Sequence, residues 1–163
     1  MLVGQSGGPT AVINASLAGV IAAAQASGYF RRVLGMRNGV QGALEGRLVD
    51  LTGLEGEALR RLAATPSAAL GSCRYRLGEG DAERLAGLCQ VEGVEAFVYI
   101  GGNDSADSSH QVAQAAGAMG LDLCVVGVPK TIDNDLAATT LPCSCASRTS
   151  LIMPGERRMW SGL

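Results

Sequence analysis

Two apolar runs decide the fold of this chain. Val94-Glu95-Ala96-Phe97-Val98-Tyr99-Ile100 leads into Gly101-Gly102-Asn103-Asp104-Ser105, and Leu121-Asp122-Leu123-Cys124-Val125-Val126-Gly127-Val128 leads into Pro129-Lys130-Thr131-Ile132-Asp133-Asn134-Asp135. Six of the seven positions in the first run are apolar or aromatic, as expected of a strand covered on both faces. The second run reads as a buried parallel strand, and residues 105–119 between them as a helix. Together they make a βαβ unit. The loops that leave the two strands then lie side by side at the carboxyl edge of one sheet, which is where open α/β sheets bind ligands. That adjacency brings Asp104, Lys130, Asp133 and Asp135 within reach of one another.

Working outward from this unit, the rest of the chain supplies more of the same architecture. Met1 to Val3 reads as a short first strand, followed by Gly4-Gln5-Ser6-Gly7-Gly8-Pro9-Thr10 and an alanine-rich helix from about Ala11 to Ser27 that Gly28 closes. Val12, Ala15, Ala18, Ile21 and Ala22 are its expected packing face. Val33 to Met36 reads as a second strand, Asn38 to Gly42 as a turn-rich segment, Glu55 to Ala63 as a short helix carrying Leu59 and Leu62, and Asp81 to Glu92 as a helix with Leu85 and Leu88 inward. The expected fold class is α/β: a mostly parallel, Rossmann-like sheet with helices on both faces.

Composition bounds the function. The chain has 163 residues, 47% of them hydrophobic, with 13 basic and 15 acidic side chains and a net charge of −2. One core is expected, or part of one. Such a balance carries no electrostatic footprint for nucleic acid or an anionic membrane. Anionic small molecules must be captured locally. Lys130 is the only lysine, against twelve arginines. The five cysteines, at 73, 89, 124, 143 and 145, show no paired metal-ligand spacing, and Cys89 and Cys124 read as small buried hydrophobes. His110 reads as a helix-surface or packing histidine and Asp107 as a partner of the helix dipole. With no signal peptide and no run of 18 apolar residues, a soluble cytoplasmic protein is the expectation.

The loop chemistry points one way and leaves a bland alternative at each step. One lysine, one threonine hydroxyl and two carboxylates two residues apart are the equipment of phosphoryl transfer, although Asp and Asn also serve as turn caps. A glycine-rich turn between strand and helix lets backbone N–H groups approach a phosphate closely. It is neither a Walker A sequence nor Gly-x-Gly-x-x-Gly, and a plain tight turn would look similar. Arg74, in Gly71-Ser72-Cys73-Arg74, has the guanidinium fork suited to phosphate, yet most loop arginines are simply solvated.

Four segments, in the family's order along the chain, nevertheless resemble one family. Pro129-Lys130-Thr131-Ile132-Asp133-Asn134-Asp135 is similar to the catalytic signature of the phosphofructokinases, and the glycine turn around Gly8, the spaced glycines Gly35, Gly39 and Gly42, and Gly71-Ser72-Cys73-Arg74 match the same family. The resemblance runs from about Leu2 to Leu136. It implies phosphoryl transfer to the 1-hydroxyl of fructose 6-phosphate, with Asp133 as the base that takes the hydroxyl proton and with Thr131 and Asp135 assisting at the metal and sugar side. Gly8, Arg74, Gly102, Asn103 and Asp104 would hold the phosphate donor and Mg²⁺, with Asp104 at the metal. Asp104 and Lys130 stand where relatives using ATP typically carry glycine, and so resemble the pyrophosphate-dependent branch. Against this, Asp104 can be a helix N-cap and Lys130 a solvated loop residue.

Residues 1–138 are thus expected to form an incomplete phosphofructokinase-like donor-binding domain, homo-oligomeric when full length. Residues 139–163 are an atypical tail lacking the family's continuation; a reading-frame break, a truncated gene or an ordinary variable tail would each give such a sequence. The family completes its sugar-phosphate pocket beyond residue 163, so the resemblance implies an amino-terminal fragment with little activity alone. An ATP-dependent phosphofructokinase, a phosphate-binding module without turnover, and an inactive product that assembles with a partner remain as other readings.

Overall fold

The computed structural model describes residues 1–130. The sequence expectations for Thr131, Asp133, Asp135 and the 139–163 tail lie outside them. Among the described residues five strands form one sheet in the order β3-β2-β1-β4-β5, where β1 is Leu2–Gln5, β2 Leu34–Met36, β3 Leu48–Asp50, β4 Ala96–Gly101 and β5 Cys124–Pro129. All neighbouring strands are parallel except β3, which runs antiparallel to β2. The helices among the described residues are α1 Ile13–Ser27, α2 Gly39–Leu44, α3 Gly56–Ala64, α4 Asp81–Val91 and α5 Asn103–Ala118.

The period of two along the strands sends their side chains into two separate cores. On one face Leu2, Leu34, Met36, Phe97, Tyr99 and Val125 pack with Leu85 of α4 and Val112 of α5. On the other, Val3, Val33, Val98 and Ile100 pack with Ile13, Leu17 and Ile21 of α1, and Leu59 and Leu62 of α3 close over this core while remaining half-buried. The sheet is therefore covered by helices on both sides, as expected of a parallel sheet.

Several local expectations need correction. In α1 the buried face is Ile13, Asn14, Leu17, Ala18, Ile21 and Ala24, whereas Ala15 and Ala22 are exposed. The large aliphatic side chains decide which way an alanine-rich helix turns, because they have the most surface to hide. Gly28 does end this helix, in the left-handed conformation at φ 63°. The segment read as a turn from Asn38 to Gly42 is the start of α2, which tertiary packing of Val40 and Ala43 holds despite two glycines. The run from Leu121 becomes a strand only at Cys124, and among the described residues β5 is an edge of the sheet with Val125 alone fully buried. Cys124 is accordingly half-buried and Leu88 lies at the margin of its core, while Cys89 is buried as expected and His110 sits on an exposed helix surface. Among the described residues, no helix is long and apolar enough to cross a membrane.

Candidate active site

Three strand ends meet at the carboxyl edge of the sheet. β1 passes into Ser6-Gly7-Gly8, and the Ser6 N–H still donates to the Ile100 carbonyl at 2.8 Å, so the turn begins in register with β4. Gly7 then adopts the left-handed conformation at φ 76°, and a Cβ placed there would come within 3.1 Å of Lys130 Nζ. Backbone and space both demand glycine. β4 ends at Gly101, Gly102 is the N-cap of α5, and Asn103 and Asp104 occupy the first turn. The capping role open to Asp104 in the sequence belongs to Gly102, without a side-chain hydrogen bond. From β5, the Lys130 N–H continues the ladder to the Gly101 carbonyl at 2.9 Å.

Lys130 is 6% exposed and its ammonium donates to the Gly8 carbonyl. It is not a solvated loop residue. A buried ammonium needs partners to replace its hydration, and here the lysine ties the end of β5 to the glycine turn.

The segment carrying Arg74 comes from the far side of the turn. The Ser72 hydroxyl donates to the Gly7 carbonyl, and the Ser6 hydroxyl donates to the Cys73 carbonyl at 3.3 Å. These reciprocal bonds stitch the two loops together. Arg74, Gly8, Gly102, Asn103, Asp104 and Lys130 all line one open pocket. At its rim the Arg76 guanidinium lies 3.4 Å from the Asp104 carboxylate, with side-chain exposures of 83% and 73%. So exposed a pair contributes little stability, but it offsets some of the negative charge at the start of α5.

Beneath the pocket, the Tyr99 hydroxyl accepts from the Val40 N–H at 3.3 Å and lies 3.7 Å from Cys73 Sγ. Burial holds this phenol well above its usual range, so it is a neutral support and not an acid at neutral pH. Thr10 Oγ1, also in the lining, is buried without a hydrogen-bond partner among the described residues. Gln5, Ser6, Thr10, Asn14 and Ser72 were not singled out from sequence. The available signal was polar residues at core positions: Gln5 ends an apolar strand, and Asn14 interrupts the apolar face of α1.

The assembly has the chemistry of a polyanion site. Arg74 and Lys130 supply cations and the first turn of α5 supplies backbone N–H groups, while among the described residues Asp104 is the single carboxylate in the lining. Among the described residues no three His, Cys, Asp or Glu side chains converge. Mg²⁺ is commonly held by one or two carboxylates together with substrate phosphates, so one open carboxylate beside a phosphate cradle fits that ion better than a closed protein cage would.

Residues 1–151 match the phosphofructokinase family. The chain belongs to that family. This phosphofructokinase chain is 49% identical over 144 residues to the pyrophosphate–fructose 6-phosphate 1-phosphotransferase of Xanthomonas campestris pv. campestris, covering 85% of the chain and 34% of the relative. It is 43% identical over 141 residues to the Halomonas elongata protein of the same name, covering 83% and 34%. The crystal structure of pyrophosphate-dependent phosphofructokinase from Nitrosospira multiformis superimposes with a TM-score of 0.79 at 45% identity, covering 86% of this chain and 35% of that one. The chain thus spans about a third of the length of the relatives it matches.

Proposed function

We propose that this chain is the donor-binding part of an enzyme that transfers a phosphoryl group from pyrophosphate to the 1-hydroxyl of fructose 6-phosphate, a step of glycolysis carried out in the cytoplasm. The observation that carries the reading is the meeting of Asp104 and Lys130 with Gly8 and Arg74 in one pocket lining. The names of the relatives at 43–49% identity support it as well.

Arg74 and Lys130 bind the donor through its phosphate oxygens, Arg74 as a fork and Lys130 as a point charge. Gly8, Gly102 and Asn103 offer backbone contacts at the strand ends. Asp104 holds Mg²⁺, which when bound offsets negative charge on the donor phosphates. The same carboxylate disfavours a nucleotide, because an inner phosphate approaching the start of α5 would meet like charge and added bulk there. A short inorganic donor has no such inner phosphate to place there. Asp133 is the base that takes the hydroxyl proton, and Thr131 and Asp135 assist at the metal and sugar side. A positioned carboxylate suits that task.

The test is a chimera in which residues 2–136 replace the matching segment of the Xanthomonas relative, assayed with Mg²⁺, fructose 6-phosphate and either donor. The expected outcome is a higher kcat/KM with pyrophosphate than with ATP. Asp133→Asn in the chimera is expected to lower kcat by ~10²–10⁴-fold with unchanged thermal stability. A higher kcat/KM with ATP would overturn the donor assignment, and wild-type turnover by the Asn variant would remove Asp133 from its role.

A further inference from the structure

Gln5 and Asn14 are both fully buried, at 0% exposure, and both are polar. Their amides bond to each other, Gln5 Nε2 donating to Asn14 Oδ1 at 2.9 Å. Gln5 Nε2 also donates to the Ile13 carbonyl at 3.1 Å, at the start of α1. The remaining bonds all run to one separate segment. Asn14 Nδ2 donates to the Thr65 carbonyl at 2.9 Å, the Ala69 N–H donates to Asn14 Oδ1 at 2.8 Å, and the Leu70 N–H donates to Gln5 Oε1 at 2.9 Å. Two side chains from β1 and α1 therefore grip residues 65–70, over 50 positions away in the chain. Four residues further on is Arg74.

We propose that this amide pair is a latch that sets where the 65–74 arm, and with it the Arg74 guanidinium, stands over the glycine turn. Gln5 and Asn14 touch no pocket residue's reacting atoms; they are positioning residues. The segment has no regular secondary structure between Ala64 and Asp81, so its backbone groups find no ladder of their own. The latch supplies the missing partners for two N–H groups and one carbonyl. The Asn38 N–H, donating to the Leu70 carbonyl at 2.8 Å, and the Ser6 and Ser72 hydroxyls hold the arm beyond that point. The bonds made by Gln5 are buried and those from Asn14 to the arm are half-buried, and a donor left unpaired in such a place is costly, so removing an amide frees the arm selectively. The consequence for the donor rests on the function proposed above: misplacing Arg74 by about an ångström weakens phosphate capture without touching Lys130.

The reporter is Cys73, next to Arg74 and 8% exposed, with Cys89 at 1% as an internal control in the sheet core. Alkylation rates of the two thiols are measured by peptide mass mapping in the 163-residue chain and its Gln5→Leu, Asn14→Leu and Asn14→Asp variants. The Leu variants are expected to speed Cys73 labelling by about tenfold or more with Cys89 unchanged, since loss of one such buried interaction approaches that factor in a local opening equilibrium. Asn14→Asp keeps the oxygen that receives the Ala69 N–H but loses the donor to the Thr65 carbonyl, and is expected to leave Cys73 labelling faster than in the wild type. Equal acceleration at both cysteines, or none at Cys73, would overturn the latch. A double-mutant cycle then reads the functional consequence. By calorimetry, Asn14→Leu is expected to weaken pyrophosphate binding about tenfold when Arg74 is present and less than about twofold in an Arg74→Ala background. Equal weakening in both backgrounds would contradict action through Arg74. A chain that shows the Cys73 signature yet binds no pyrophosphate in any form would sink the donor reading and leave the latch standing.

Discussion

At the scale of single residues, Lys130 carries the most information. Its being the only lysine drew attention to it in the sequence, but its burial was not legible there, because that depends on how β5 registers against β4 and on the left-handed turn at Gly7. The register brings Gly101 opposite Pro129 and leaves Lys130 as the next residue, level with the turn. Asp104 shows the converse: sequence allowed an N-cap, and the fold gave that place to Gly102 because the strand runs straight into the helix. Lys130→Met keeps the length of the side chain and removes the charge. Because a hydrogen bond to a charged partner contributes about 1.5–3 kcal/mol, the substitution is expected to weaken pyrophosphate binding at least about tenfold. Calorimetric titration of the folded variant checks this, and unchanged affinity would exclude the ammonium from the donor site.

Among the elements, β4, α5 and β5 were legible because a βαβ unit is local and its apolar runs are long. The antiparallel β3 was not. It has three residues, none fully buried, and so no period to read. α2 hid behind its glycines: at Gly42 a side chain would run into the Arg37 carbonyl, so the residue that disfavours a helix is the one this helix requires. The start of α4 was legible as a helix, though not its function as an anchor for the loop after Arg74. The buried Asp81 carboxylate accepts from the Tyr75 hydroxyl at 2.6 Å, the Gly78 N–H at 2.9 Å and the Arg84 guanidinium at 3.0 Å. The Tyr75 hydrogen bond, then that of Gly78, lowers its pKa below the ordinary 3.8, while burial opposes them less strongly. A depressed folded-state pKa means stability that is present above the unfolded value and lost as pH falls through the folded one. Asp81→Asn is therefore expected to lower Tm by several degrees near neutral pH, and the gap to wild type should shrink as pH drops from about 6 to about 3. Circular dichroism melts at the two pH values test it; a gap independent of pH would mean that ionised Asp81 has no special part.

Across the whole molecule, topology explains why residues from distant parts of the sequence serve one pocket. With β1 lying between β2 and β4, and β5 beyond β4, the parallel strands β1, β4 and β5 all deliver their exits to the same edge. The glycine turn, the start of α5 and Lys130 arrive there by chain direction alone, and only the Arg74 arm needs a special fastening, from Gln5 and Asn14. Sequence could foresee the first three because each follows directly from a readable strand. The fastening was hidden, since it joins side chains over 50 positions apart that no local pattern pairs. The chain covers about a third of its relatives' length, so binding of the donor is a more direct test of the pocket than turnover. The decisive measurement is calorimetric titration of the purified 163-residue chain, in Mg²⁺, with pyrophosphate and separately with ATP. The expected result is tighter binding of pyrophosphate, with the preference abolished by an Asp104→Gly, Lys130→Gly double variant. ATP bound as tightly as pyrophosphate or more so, or a preference that survives the double variant, would contradict a site built for the inorganic donor.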